Sequence, residues 1–405
     1  MELQSENIIK DLVSVPIGPL GVIAMAGMEE IGKEVNEWLN IWRDSQHIDF
    51  FEEEYYTVPG ADRDTFLVKA DCPRFGTGEA KGMLRESVRG LDLYILIDVT
   101  AYNVRYKMYG LEVPMSPDDH FSDLKRIIAA VGGKAKRVNV IMPFLYESRQ
   151  HRRTSRESLD CALALQELKS MDITNLITFD AHDPRVQNAI PVSGFENVMP
   201  TYQMIKALLR EVHDLNINRD NMVVVSPDEG AVERNIYYSS VLALDMGMFY
   251  KRRDYTRVVN GRNPIIAHEY LGPDVAGKDV IVADDILSSG ESILDLAREL
   301  KNRGAKRIFP IVSFAFFTNG LDAYQEAYEQ GLITKVFASN MNYLNPKLKE
   351  MPWFAEANMA KYIAYFIATL NHDRSLEPLL NPHDRIKKRL AEYHQKQKEM
   401  GIRFA

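Results

Sequence analysis

Cysteine is nearly absent: the chain of 405 residues has two, Cys72 and Cys161. They lie far apart in no metal-ligand spacing, which argues against a disulfide framework or a cysteine zinc site and places both in or near the core. Long apolar runs are missing too, since no stretch approaches the ~20 apolar residues of a membrane span. The start, Met1 to Asn7, has no basic segment leading into an apolar run, so it does not read as a signal peptide and a cytoplasmic protein is expected. An excess of positive charge is also lacking: 49 Lys and Arg against 57 Asp and Glu leave a net charge of −8. That argues against nucleic acid as a main partner, and no membrane partner is expected.

What is present is ordinary for a protein with a large core: 46% hydrophobic and 26% charged residues. The length suggests two domains. Apolar runs of strand length alternate with helical stripes. Strands are expected at 21–26, 66–68, 93–97, 138–141, 176–179, 222–225, 248–250, 280–282 and 307–312. Residues 49–56 read as an acidic, aromatic loop with an edge strand. Helices are expected at 29–42, 158–169, 202–212, 234–244 and from 293 toward 303. Ser116-Pro117-Asp118-Asp119 marks another helix start: a cap, a proline for the first position and an acid to close a capping box. Phe121, Leu124, Ile127, Ile128 and Val131 form its core face, and Gly132-Gly133 ends it. Strands alternating with helices imply an α/β fold of two domains with mostly parallel sheets, divided near 195–200. The boundaries are drawn at 1–18 (an extension), 19–197, 198–344 and 345–405 (a helical tail that packs back on the first domain or makes a subunit contact).

Four polar groups fall at the C-terminal ends of strands, where open α/β sheets bind ligands. They are Asp180-Ala181-His182, Asp228, Lys251-Arg252-Arg253 and Asp284-Asp285. The last pair leads into Ile286-Leu287-Ser288-Ser289-Gly290-Glu291-Ser292 and a helix. This arrangement suits a sugar phosphate, with carboxylates for hydroxyls and backbone N–H groups at a helix N-terminus for phosphate. A turn with an N-cap is the plain alternative. His182 with Asp228 suits Mg²⁺ bound mainly through substrate phosphates, although a single histidine more often is a solvated loop residue or a satisfied structural one. Lys251 and Arg253 alternate along an extended segment and can face one way to stabilise a phosphoryl group in flight. An exposed basic turn has the same pattern, and the polar Asp254–Arg257 that follows has the character of a lid. Arg149, Gln150, Arg152, Arg153 and Arg156 cluster as a nucleotide site or a solvated loop would. Phe75 with Glu79 can stack on and hydrogen-bond an adenine, or Phe75 can be core.

Together these stretches resemble the ribose-phosphate diphosphokinase family over roughly residues 20 to 340. The segment from Arg74-Phe75-Gly76-Thr77-Gly78-Glu79 to Glu86-Ser87-Val88-Arg89-Gly90 resembles the family's first ATP segment. Tyr146 through Arg149-Gln150 to Ser155-Arg156 resembles the second. Asp180-Ala181-His182 resembles the metal motif, Ser226-Pro227-Asp228 the pyrophosphate segment, Lys251-Arg252-Arg253 the catalytic loop, and Asp284-Asp285 the start of the ribose-phosphate loop. The resemblance implies two phosphoribosyltransferase-like domains and transfer of pyrophosphate from ATP to the C1 hydroxyl of ribose 5-phosphate, with AMP leaving. It implies Mg²⁺ on His182 and Asp228, and transition-state stabilisation by Lys251 and Arg253. ATP would be held by Arg149 and Gln150, with Phe75 and Glu79 reaching it from a neighbouring subunit. The acceptor would lie on Asp284, Asp285, Ser288, Ser289, Gly290 and Ser292, in a homo-oligomer, dimer or hexamer.

The departures from the family pattern are local. Thr77 stands where an acid is usual, the loop between Gln150 and Ser155 is one residue shorter, and the run after His182 becomes Asp183-Pro184-Arg185-Val186-Gln187-Asn188. In the sugar-phosphate loop an acid is lost at Ser288 and Glu291 replaces a glycine. Glu291 can turn outward and extend the helix N-terminus, where an acid is welcome. It can also signal an acceptor whose phosphate is a diester, such as ADP-ribose, or a non-catalytic regulatory relative.

Overall fold

The computed structural model describes residues 16–47, 63–253 and 265–402. Most of the expected extension 1–18, the expected edge strand at 49–56 and the lid at 254–257 lie outside the described residues. The chain forms two compact units. The first comprises residues up to Met199 with Met341–Tyr343 and Asn358–Asn381; the second comprises Pro200–Asn340, Leu344–Ala357 and the chain from Pro382 onward.

The first unit opens with β1 (Leu20–Ala24) and α1 (Glu29–His47). A small antiparallel ribbon follows, β2 (Ala70–Asp71) with β3 (Met83–Leu84). Next come β4 (Asp92–Leu96), the hairpin β5 (Arg105–Met108) and β6 (Leu111–Pro114), and α2 (Pro117–Val131). Then come β7 (Arg137–Ile141), α3 (Asp160–Ser170), β8 (Asn175–Phe179) and β9 (Gly194–Val198). The sheet order is β1-β4-β7-β8-β9, parallel throughout. The capping box of α2 forms as its sequence predicts: Ser116 Oγ accepts from the Asp119 N–H at 3.2 Å, and Asp119 Oδ2 accepts from the Ser116 N–H at 3.0 Å. Phe121, Leu124, Ile127, Ile128 and Val131 are its buried apolar face, and Gly132 ends it at φ 57°. The stretch 66–68 is no strand but a single bridge, Leu67 to Val22. Cys161 is buried and Cys72 half-buried, and burial pushes both thiols up to about 12, so neither is a thiolate at neutral pH.

The second unit holds α4 (Thr201–Glu211), β10 (Met222–Ser226), α5 (Val232–Leu242), β11 (Asp245–Arg253) and β12 (Ile265–Leu271). It continues with β13 (Asp279–Leu287), α6 (Glu291–Asn302), β14 (Arg307–Ala315), α7 (Asp322–Glu329), β15 (Val336–Ser339) and β16 (Phe354–Ala357). The sheet order is β12-β11-β10-β13-β14-β15-β16, parallel except for β12. Alternate residues of its central strands enter two cores. Val223, Val225, Val280 and Val282 pack with Ile293, Leu296 and Leu300 of α6 and Tyr324 of α7. Met222, Val224, Ile281 and Ala283 pack with α4 and α5. A sheet buried on both faces needs unbroken apolar strands, as at 222–225 and 280–283.

Residues 345–405 divide between the units and are not wholly helical, since β16 completes the second sheet. The next helix, α8 (Ala360–Asn371), packs on α1 in the first unit, where Tyr365 stacks on Trp42 at 4.6 Å. A short turn of helix, α9 (Glu377–Leu380), ends that return. The last helix, α10 (His383–Glu399), belongs to the second unit; Tyr393 Oη donates to Val212 O at 2.6 Å and Gln397 Nε2 to Leu215 O at 2.9 Å. Among the described residues, no helix is long and apolar enough to cross a membrane.

Both sheets are closed at their N-terminal edge by the same device. Asp92 at the start of β4 takes a two-point grip from Arg137 at the start of β7, at 2.8 and 2.7 Å. Asp279 and Arg307 repeat it at the start of β13 and β14, at 2.9 and 2.6 Å. The repetition shows two related units within one chain.

Candidate active site

The second unit reverses direction between β10 and β13. The chain leaves β10 through α5 to β11 on one side, and leaves β13 through α6 to β14 on the other. Such a switch point opens a crevice at the C-terminal strand ends, the preferred ligand position in an open α/β sheet. Three acidic residues gather there. Asp228 lies in the turn after β10, where its Oδ1 accepts from the Gly230 N–H at 3.0 Å and the Ala231 N–H at 3.3 Å. Asp284 and Asp285 lie within β13 rather than at its end, because the strand continues to Leu287 beside β14. Pairing with β10 stops at Val225 and Val282, so the two aspartates lie just past the point where β13 loses that neighbour.

Asp285 is buried and Asp284 is partly exposed, with Arg234 Nη1 3.7 Å from Asp284 Oδ1. Burial, then the charge of Asp285 and a hydrogen bond with it, raise the Asp284 carboxyl well above the usual carboxylate range; Arg234 opposes this and Asp228 adds to it. A nearby cation would oppose this shift and favour the carboxylate form.

After β13 the loop turns through Gly290, at φ 85°, into α6. A side chain there would collide with Tyr324, whose ring would lie 2.4 Å from an added Cβ and whose Oη donates to Gly290 O at 3.0 Å. No side chain caps α6, and the Glu291 N–H reaches Ser289 Oγ at 3.5 Å. The helix therefore begins with backbone donors beside Ser288, Ser289 and Ser292, the makings of an anion cradle. Glu291 is exposed and its Oε1 accepts from Asn319 Nδ2 at 3.1 Å. It turns outward, one of the possibilities its position allowed.

Lys251 and Arg253 lie at the end of β11, which runs on past β10 as a ribbon with β12. Lys251 pairs with His268 and Arg253 with Ile265, with an irregularity between Arg252 and Arg253 where the partner strand skips Ile266. Only the backbone of 251–253 is described.

The first unit carries the remaining residues. Asp180 follows β8 at φ 44°, and the Ala181 N–H donates to Asn197 Oδ1 at 2.9 Å. The bend leaves His182 exposed, with its ring 5.4 Å from that of His151. The divergent run after it is a 3₁₀ turn, Pro184–Ala189, capped by Asp183. Arg185 folds back onto Asp183, and its hydrogen bonds hold that carboxyl down at about 2. After β7, Arg149 is exposed, whereas Gln150 Nε2 donates to Ser158 O at 2.9 Å and closes the basic loop. Phe75 is 55% exposed, which rules out a core position within this chain. It shares a tight loop with Glu79, whose carbonyl accepts from the Phe75 N–H at 2.7 Å; Thr77 Oγ1 also donates to the Glu79 carboxylate.

The first unit repeats the aspartate of the second in a closed form. Asp98 stands six residues after Asp92, as Asp285 stands six after Asp279. Asp98 is 1% exposed and accepts from Thr100 N at 2.8 Å and Tyr343 N at 2.7 Å. Its carboxylate is occupied by the Thr100 N–H of its own loop and by the distant Tyr343 N–H, so the open cradle belongs to the second unit.

Arg234, Asn235 and Asn319 belong to the site without any signal in the sequence. Each is remote in sequence from the group it serves in β13 or α6, and no motif marks it.

Among the described residues, no group of three or more His, Cys, Asp or Glu is arranged to hold a metal ion. Mg²⁺ does not require one, because it uses one or two carboxylates and completes its shell with water and phosphate oxygens. Asp228, close enough to Asp284 to raise its carboxyl, is a carboxylate of the kind such an ion uses.

Comparison with known proteins gives a consistent result. Residues 21–171 match the family described as the N-terminal domain of ribose phosphate pyrophosphokinase, and residues 192–336 match the phosphoribosyl transferase domain. A ribose-phosphate pyrophosphokinase of Staphylococcus aureus is 27% identical over 286 residues, covering 70% of this chain and 80% of its own. One from Chromobacterium violaceum is 27% identical over 323 residues, covering 78% and 89%. The crystal structure of a phosphoribosylpyrophosphate synthetase from Mycobacterium smegmatis shares the fold, with a TM-score of 0.65 at 21% identity over 87% of this chain and 98% of that one.

Proposed function

The chain belongs to the ribose-phosphate pyrophosphokinase family, and from that premise we propose that it transfers pyrophosphate from ATP to the C1 hydroxyl of ribose 5-phosphate. Its fold is that of two phosphoribosyltransferase-like units, each a mostly parallel sheet flanked by helices. The observation that carries the proposal is the switch point of the second unit, where Asp228, Asp284, Asp285 and the uncapped start of α6 converge.

The acceptor's 5′-phosphate takes the N–H groups of the Ser288–Ser292 turn, while Asp284 and Asp285 take ribose hydroxyls. The C1 oxygen attacks the β-phosphorus of ATP, the bond from that phosphorus to the α–β bridging oxygen breaks, and AMP leaves with the electron pair. Little covalent help is needed; positioning and charge stabilisation dominate. Lys251 and Arg253 supply positive charge to the transferring group. Arg149 and Gln150 hold ATP, with Phe75 and Glu79 supplied by a neighbouring copy in a homo-oligomer. Mg²⁺, for which His182 and Asp228 are the proposed ligands, would neutralise phosphate charge when bound. ATP and a phosphorylated sugar as substrates fit a cytoplasmic enzyme.

A second acceptor is kept because of one observation: although its side chain turns outward to Asn319, Glu291 adds a negative charge at the first position of α6. A diester such as ADP-ribose carries less charge there than a phosphate monoester. AMP release is to be followed with ATP, Mg²⁺ and either ribose 5-phosphate or ADP-ribose. Release with ribose 5-phosphate supports the first acceptor; release with ADP-ribose alone replaces it; release with neither points to a regulatory relative and sinks the catalytic reading.

A further inference from the structure

Beyond Val282, β13 has a strand neighbour only on the β14 side. Ala283 is fully buried, so its N–H and C=O cannot turn to water and would be costly if left unpaired. Both are met by one side chain. Asn235 Nδ2 donates to Ala283 O at 2.8 Å, and Asn235 Oδ1 accepts from the Ala283 N–H at 3.2 Å. The amide replaces the missing peptide of β10. The same Nδ2 reaches Ala231 O at 2.8 Å and Ser226 Oγ at 3.3 Å, and Ser226 Oγ donates to Asp228 O at 2.8 Å. Asn235 is itself fully buried. It thus ties together the end of β10, the turn that carries Asp228, and the residue just before Asp284.

We propose that Asn235 is a positioning residue that sets Asp284 and Asp285 against Asp228 for the acceptor sugar. The role rests on the pyrophosphoryl-transfer reading, since it concerns how that site holds its acceptor. A side-chain amide offers a donor and an acceptor side by side, in the spacing of the peptide it replaces. Aspartate of the same size would present an oxygen to two carbonyls, and serine is too short to span the gap.

The test compares Asn235→Asp and Asn235→Ser with Leu300→Ala, a truncation in the other core of the same sheet that lowers stability without touching this junction. For the Asn235 variants, kcat/KM for the acceptor should fall between about tenfold and a hundredfold, as for a misplacement near 1 Å, with KM for ATP nearly constant. Leu300→Ala should leave the acceptor KM unmoved. Hydrogen exchange read on the peptide spanning Ala283–Leu287 should show lost protection in Asn235→Ser, while the β14 peptide over Ile311–Phe314 stays protected. An acceptor kcat/KM unchanged in both Asn235 variants, or exchange rising equally in both peptides, would overturn the proposal. Should the parent enzyme release no AMP with any ribose acceptor, the functional reading fails, and the exchange pattern still decides whether Asn235 holds this junction.

Discussion

Gly290→Ala is the sharpest perturbation of the acceptor loop, and its cost can be worked out from two separable sources. Gly290 has φ 85°, where an L-residue pays roughly 1–2 kcal/mol. The added methyl would also lie 2.4 Å from Tyr324 Cε2 and 2.6 Å from its hydroxyl. Tyr324 cannot easily yield: it is fully buried and packs edge-on to Phe317 at 5.1 Å and beside Trp353 at 5.6 Å. Overpacking of this kind costs about 1–3 kcal/mol. The total is about 2–5 kcal/mol, a large part of a domain's usual ~5–15 kcal/mol. Gly331→Ala isolates the first source, because Gly331 has φ 69° and nothing within 4 Å of an added Cβ. Denaturant unfolding of the two variants should place Gly290→Ala lower by the clash, with Gly331→Ala losing only about 1–2 kcal/mol. The acceptor KM should rise in Gly290→Ala alone. Equal losses in the two variants would refute the packing of Tyr324 against the loop.

The remaining predictions concern charge. Asp284 is raised mainly by burial and by Asp285, so the folded state retains a proton that the unfolded chain releases near about pH 4. Stability therefore falls as pH climbs from there toward the folded value, and Asp284→Asn should be the more stable protein above that window and equal below it. Unfolding curves from pH 4 to 8 without divalent cation check this, and identical curves at every pH contradict it. Glu291→Gln keeps an oxygen for Asn319 and removes one charge beside the cradle; the KM for ribose 5-phosphate should fall about fivefold, as expected for about 1 kcal/mol of repulsion. An unmoved KM would mean that Glu291 does not sense the phosphate. Lys251→Ala should lower kcat by about a hundredfold or more while the KM for ATP changes little, and an unaltered kcat would remove Lys251 from the transition state.

The apolar strands and capped helices were legible because their signals are local. Val280–Val282 must be a buried strand whatever surrounds it, and Ser116 with Asp119 announces its own helix. β9 was not legible: Gly194-Phe195-Glu196-Asn197-Val198 has mixed polarity, and only its pairing with β8 makes it a strand. β15 and β16 are four residues each, too short to show a period. The division of residues 345–405 between the two units depends on Tyr365 meeting Trp42 and Tyr393 meeting Val212, contacts with partners 323 and 181 residues away. Within the site, Asp228 was visible as an acid after a strand and Asp284-Asp285 as acids following an apolar run, although β13 continues past them to Leu287. Asn235 was not, because its task arises only where β10 ends and β13 continues.

The fate of the β-phosphorus tests the central claim most directly. With ATP labelled at that atom, Mg²⁺ and ribose 5-phosphate, the label should pass into a sugar diphosphate while unlabelled AMP accumulates in equal amount. Labelled ADP, or label remaining in ATP while the acceptor is unchanged, would contradict pyrophosphoryl transfer by this protein.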